Sequence, residues 1–147
     1  MAAGAFQIYV NGAKNIINQN IDLVNDTIVA ILLDTAHVVD LSLDEFISDI
    51  VADEIADAGY ARQTLSGKTI TVVAGKVRVD CADIDFGDTV SLSARYMAIA
   101  KNTGSDATSQ LVGITDLNTS GGNLSSTSSD FDVAVNANGL FEATVNA

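Results

Sequence analysis

The chain has 147 residues, 48% apolar and only 18% charged, a length that suits one domain burying roughly two-thirds of the surface its unfolded form exposes. Nineteen acidic residues against seven basic ones leave a net charge of -12, which repels phosphate backbones and argues against nucleic acid as a partner. Cys81 is the sole cysteine, so an internal disulfide is impossible, a thiolate zinc site has nothing to pair, and a small core residue is its expected role.

Residues 1–5, Met-Ala-Ala-Gly-Ala, read as an N-terminal arm without the basic segment and apolar run of an export signal. No window of about 18 uninterrupted apolar residues follows, so the reading is a protein made in a cytoplasm that does not span a membrane. Phe6, Tyr9, Val10, Ala13, Ile16 and Ile17 recur at helical spacing and predict a short helix over about 8–18, although Phe6, Ile8 and Val10 also alternate like a strand and Asn11-Gly12 weakens a helix.

The run Ile28-Val29-Ala30-Ile31-Leu32-Leu33, bounded by Asp26 and Asp34, is too short for a buried helix and predicts a strand covered on both faces at the centre of a sheet. Ser42 and Glu45 form a capping-box pattern ahead of Leu43, Phe46, Ile47, Ile50 and Val51, which predicts a second helix that ends by Gly59. From Tyr60 the texture changes to short Val-, Ile- and Thr-rich runs between Ser-Gly, Ala-Gly and Asp-rich turns, placing antiparallel strands near 60–65, 68–74, 76–81, 90–101 and 109–117. Tyr96-Met97-Ala98-Ile99-Ala100 is the second long apolar run and the expected neighbour of the opening strand. Residues 118–130 are a polar tract that reads as an exposed loop, and Asn138-Gly139 predicts a terminal hairpin joining 131–135 to 140–145. The expected fold is therefore one mainly β domain over 1–147, an antiparallel β-sandwich or jelly-roll-like barrel with one or two short helices in the N-terminal half.

Patterns that could carry chemistry each have a plainer reading. Gly67-Lys68-Thr69 ends like a phosphate loop, but Arg62 stands where the first glycine belongs and a strand follows instead of a helix. Asp80, Asp83, Asp85 and Asp88 offer hard oxygen ligands around Phe86-Gly87, without the spacing of a calcium loop, and read as turn and edge carboxylates. Asp49, Asp53 and Asp57 would form one acidic stripe on a continuous helix; either the helix breaks before Asp57, or the stripe meets basic groups, or it is a solvated face. His37, the only histidine, lacks a nucleophile-elbow motif to serve. Arg95, inside an apolar strand, must pair with an acid, face an edge or cross an interface.

Five segments taken together resemble a family of small structural proteins of tailed bacteriophages: Ile21-Asp22-Leu23 with Asp26 to Leu33; Glu45-Phe46 with Ala52 to Ile55; Gly59-Tyr60; Ala94 to Ile99; and Gln110 to Leu117. The resemblance implies a non-enzymatic virion component on the capsid exterior, a decoration or cement protein that binds the major capsid protein, with a head-fibre or tail-associated role as its nearest variant. It also implies a homo-oligomer without cofactor, catalytic residue or metal site, and Arg95, Tyr96, Tyr60 and Phe6 are its candidate interface residues. The competing reading is a receptor- or carbohydrate-binding module on a tail or fibre, which the polar 118–130 loop would serve. Only three Tyr and no Trp supply sugar-stacking platforms.

Overall fold

The computed structural model describes residues 3–144. Its centre is a five-stranded antiparallel sheet in the order β1 (Gln7–Ile8), β9 (Leu111–Asp116), β8 (Tyr96–Lys101), β2 (Ile28–Leu33) and β3 (Gln63–Thr64). Every residue of β2 is buried, and the strand pairs with β8 along its whole length, from Ile28 opposite Lys101 to Leu33 opposite Tyr96. Strand alternation sends Ile28, Ala30 and Leu32 to one core and Val29, Ile31 and Leu33 to the other, so the sheet is the middle layer of three. Each fully buried Ile, Leu or Val contributes about 1.5–3 kcal/mol of hydrophobic stabilisation.

Helix α1 (Val10–Ile17) and the short α2 (Ile47–Ile50), continued by a 3₁₀ turn over Val51–Asp53, cover one face through Tyr9, Ile47 and Ile50. The other face is covered by two small ribbons and a three-stranded sheet. The ribbons pair β6 (Ile84–Asp85) with β11 (Asp132–Val133) and β7 (Ser93–Ala94) with β10 (Leu124–Ser125); the sheet runs β12 (Phe141–Thr144), β5 (Lys76–Asp80), β4 (Thr69–Val73). The architecture is mainly β and sandwich-like, and its sheets do not close into a barrel.

Several local expectations are revised. The strand and helix signals of residues 6–10 are both realised, as β1 followed by a helix that begins at Val10. Ser42 caps nothing: Asp40 takes the Ser42 and Leu43 N–H groups at 3.0 Å each, and the helix starts at Ile47, where the Asp49 carboxylate accepts the Glu45 and Phe46 N–H groups at 3.0 and 2.8 Å. The strand expected over 90–101 divides at Arg95 into β7 and β8. The terminal hairpin does not form. Asn138-Gly139 does turn, with Gly139 N–H on Asn136 O at 2.7 Å, but β11 pairs with β6 and β12 with β5; position 145 lies outside the described residues. The 118–130 tract contains β10 and buries Asn118, so it is only partly an exposed loop.

Gly12 explains itself in the packing. A Cβ there would sit 2.5 Å from Val112 O and 2.8 Å from Leu111 O, because α1 lies directly on β9. Helix propensity alone predicts that Gly12→Ala stabilises by about 1 kcal/mol. Backbone contact of this kind predicts the opposite, a net loss of about 1–3 kcal/mol in chemical denaturation, and an unchanged or raised midpoint would refute the close approach.

Candidate functional site

The predicted interface residues are placed in separate environments. Arg95 is half-buried, binds Asp116 through Nε and Nη2 at 3.3 and 3.0 Å, and lies 5.0 Å above the Tyr96 ring centroid. Of the three roles open to it, it pairs with an acid. Burial works against the Asp116 carboxylate, but Arg95 and the Asn118 N–H outweigh it and hold Asp116 below the usual carboxylate range. Tyr96 is buried and meets His37 edge-to-face at 5.7 Å. Phe6 stacks on Phe141 at 5.5 Å with 7° between the rings, and lies so close over β9 that a Cβ on Gly113 would meet its ring at 2.4 Å. Arg95 and Tyr96 are thus brought together, while Phe6 and Tyr60 serve the interior elsewhere.

Tyr60 belongs to a polar network that the sequence did not advertise. Its hydroxyl accepts the Leu32 N–H at 3.1 Å and donates to Glu54 Oε1 at 2.7 Å. Arg62 holds Glu54 at 2.8 and 2.6 Å and Asp106 at 2.7 and 3.2 Å, so one guanidinium ties three segments together. Those two carboxylates raise the Arg62 pKa, and Arg62 in turn lowers that of Asp106; burial first, then Glu54, raises Tyr60. In the sequence Arg62 stands only as the residue that breaks a phosphate-loop pattern, and its acids are too far along the chain to suggest the pairing.

The remaining candidates resolve into separate structural roles. Lys68 Nζ donates to the Asp26 carbonyl, and β4 follows Gly67-Lys68-Thr69 in place of a helix. His37 is buried, with Nδ1 on Asp53 Oδ2 at 2.9 Å and Nε2 unpartnered, so the imidazole is fixed but activates no hydroxyl. Asp49, Asp53 and Asp57 are not a stripe, because the helix ends first: Asp49 caps α2, Asp53 holds His37, and Asp57 accepts the Ser93 N–H at 2.7 Å. Asp80, Asp83 and Asp85 accept the N–H groups of Cys81, Val135 and Gly87, as turn carboxylates do. Among the described residues, no three His, Cys, Asp or Glu side chains are placed to hold a metal ion, and no helix is long and apolar enough to cross a membrane. Cys81 is buried, and burial, then Asp80 and Asp83, push its thiol up to about 11.

What the surface offers is contact. Val10, Ile17, Val38 and Leu43 are exposed on the helical side, where Val10 N–H holds Leu41 O at 2.9 Å and so ties the 38–43 loop to α1. A cavity of about 450 Å³ opens between the arm at 3–6 and residues 133–142, walled largely by Phe6, Met97, Leu117, Val133, Leu140 and Phe141. Compared with protein-family models, curated proteins and solved structures, the chain matches none.

Two measurements follow from these contacts. Tyr60→Phe leaves the Leu32 amide without its partner, and should cost about 1–3 kcal/mol in denaturant melts; an unperturbed variant would show that the hydroxyl is dispensable. Asp132 stands opposite Asp85 in the β6–β11 ribbon, and desolvation, then Asp85, Asp130 and Asp88, raise its pKa. An acid whose folded pKa is raised holds its proton more tightly in the native state, so stability falls as pH rises through that range. Asp132→Asn should therefore raise Tm at about pH 7, with the gain shrinking as pH approaches about 3; a gain independent of pH would count against like-charge repulsion.

Proposed function

We propose that this chain is a non-enzymatic capsid decoration protein of a tailed bacteriophage, which binds the exterior of the major capsid protein shell and cements it. The observation that carries the reading is the spatial unity of the resembling segments. Ile21 to Leu33, Ala94 to Ile99 and Gln110 to Leu117 supply β2, β8 and β9, adjacent strands of the central sheet. Glu45 to Ile55 packs against them, bridging at Phe46–Gln110 and Leu33–Glu54, and Tyr60 bonds to β2 through Leu32. The resembling segments are therefore neighbours around one sheet instead of scattered strand patterns.

Such a body acts by burying complementary surface at many equivalent lattice points, where association of copies multiplies weak contacts through effective concentration. The groups of the 118–130 tract, by contrast, are partly engaged within the chain: Asn118 Nδ2 donates to Gly121 O at 2.7 Å, and Ser126 Oγ to Val90 O at 2.7 Å. That leaves fewer hydrogen-bonding groups for a glycan.

Particles lacking the chain should release their genome at lower temperature and after milder osmotic shock than complete ones, and adding back purified protein should restore resistance. A map of the intact particle should show this chain over the capsid lattice in many symmetric copies. Equal resistance with and without it, or density confined to the tail or a few fibres, would overturn cementing.

A further inference from the structure

Among the described residues, the β4–β5 hairpin carries an unpaired strand edge. β4 ends the β12–β5–β4 sheet, all five of its residues are exposed, and Thr-Ile-Thr-Val-Val contains no charge or proline. Val72 is 76% exposed and Ile70 48%. The turn Ala74-Gly75 has φ of 50° and 78°, the two-residue form with positive φ at both central positions, which makes Val73 and Lys76 the hydrogen-bonded pair beside it. Alternation then directs the N–H and C=O groups of Thr69, Thr71 and Val73 at β5, and those of Ile70 and Val72 at the open edge.

We propose that this edge pairs with the same strand of a second copy, antiparallel about a two-fold axis at Thr71. Ile70 then lies opposite Val72 of the other copy, exchanging both backbone hydrogen bonds, and Thr71 lies opposite Thr71 as a non-hydrogen-bonded pair. These β-branched cross-strand pairs favour pairing, and the interface is self-complementary as a two-fold requires. Charge selects the occupant. Residues 58–79 contain no acid and four of the seven basic residues, so this is the stretch through which two chains of net charge -12 approach without apposing carboxylates. Arg62, Lys76 and Arg78 pair with Glu54, Asp106 and Glu142 of the same chain, so the hairpin brings no unpaired carboxylate of its own to the edge. The pairing continues the apolar face formed by Ile70 and Val72 with Val79 and Val77, whose inner end, Val79, is anchored in the core.

This inference rests on the strand itself and not on shell binding, so its test uses the purified full chain without capsids. Sedimentation velocity should show a concentration-dependent dimer. Thr71→Lys, which sets like charges face to face at the axis, should leave a folded monomer whose Tm no longer depends on concentration, since Thr71 is exposed in the single chain. Thr71→Cys should form an intermolecular disulfide under mild oxidation, the paired Cα atoms being about 4.5 Å apart; Leu43→Cys on the helical side should not. A parent chain that stays monomeric at every concentration, a dimer that survives Thr71→Lys, cross-linking through Leu43→Cys instead, or an open polymer would each overturn the proposal.

Discussion

The structure depends on finding hydrogen-bond partners for both edges of a strand that no water reaches. β2 is buried on both faces, and each unpaired backbone group in such a place costs about as much as a lost hydrogen bond. β8 satisfies one edge by continuous pairing. The other edge is completed in pieces by the segment 54–65: Leu65 N–H on Ile28 O at 2.8 Å, β3 opposite Val29 and Ala30, the Tyr60 hydroxyl on the Leu32 N–H, Ile55 N–H on Leu32 O at 3.1 Å, and a bridge from Glu54 to Leu33. This piecemeal closure explains why a stretch with strand-like composition yields only a two-residue strand. It also explains the Arg62 network, which holds that irregular backbone in place by binding Glu54 at one end and Asp106 at the other.

Scarce cations are used in the same way across the molecule. Arg95, between β7 and β8, binds Asp116 of β9, Arg78 joins β5 to Glu142 of β12 at 2.8 Å, and Lys101 reaches Asp26 at 3.0 Å. Each joins residues far apart in sequence. Exposed pairs of this type contribute little energy singly, typically about 0–1 kcal/mol. Their effect here is on register and segment choice, because a chain with so many carboxylates has many wrong partners for a strand and few places where a guanidinium can settle.

The central pairing of β2 and β8 was legible because a continuous apolar run has no alternative to burial, and two such runs have a natural partner in each other. Helix α2 was legible in existence but not in start, since Asp40 and Asp49 outbid Ser42 for the same backbone donors. The terminal hairpin shows where local signals fail. Asn138-Gly139 sets a turn, but partner choice is non-local, and Leu140 N–H on Val79 O at 2.8 Å together with Arg78–Glu142 draws β12 to β5. The intramolecular partners of two aromatics were hidden for a related reason. Tyr60 and Phe6 are aromatics, which bury readily, and their partners Glu54 and Phe141 become visible only when the chain is folded. An acidic partner for Arg95 was legible as one of three options, because an arginine inside an apolar run demands a partner wherever it lies, and Asp116 supplies it.

Against this background the β4 edge is the anomaly. Elsewhere the sheets blunt their margins: Asp85 and Asp132 charge the β6–β11 ribbon, Glu142 charges β12, and the end strands of the central sheet, β1 and β3, are only two residues long. β4 uses none of these devices. Its turn carries the same character, because the first central position, which favours Asn, Asp or Gly at positive φ, is occupied by Ala74. An alanine there accepts backbone strain without offering water a polar group, and it extends Val72-Val73 into an uncharged tip. Strain, apolar exposure and missing edge protection converge on one hairpin in an otherwise acidic molecule, which is the pattern expected of a strand whose outer neighbour comes from another chain.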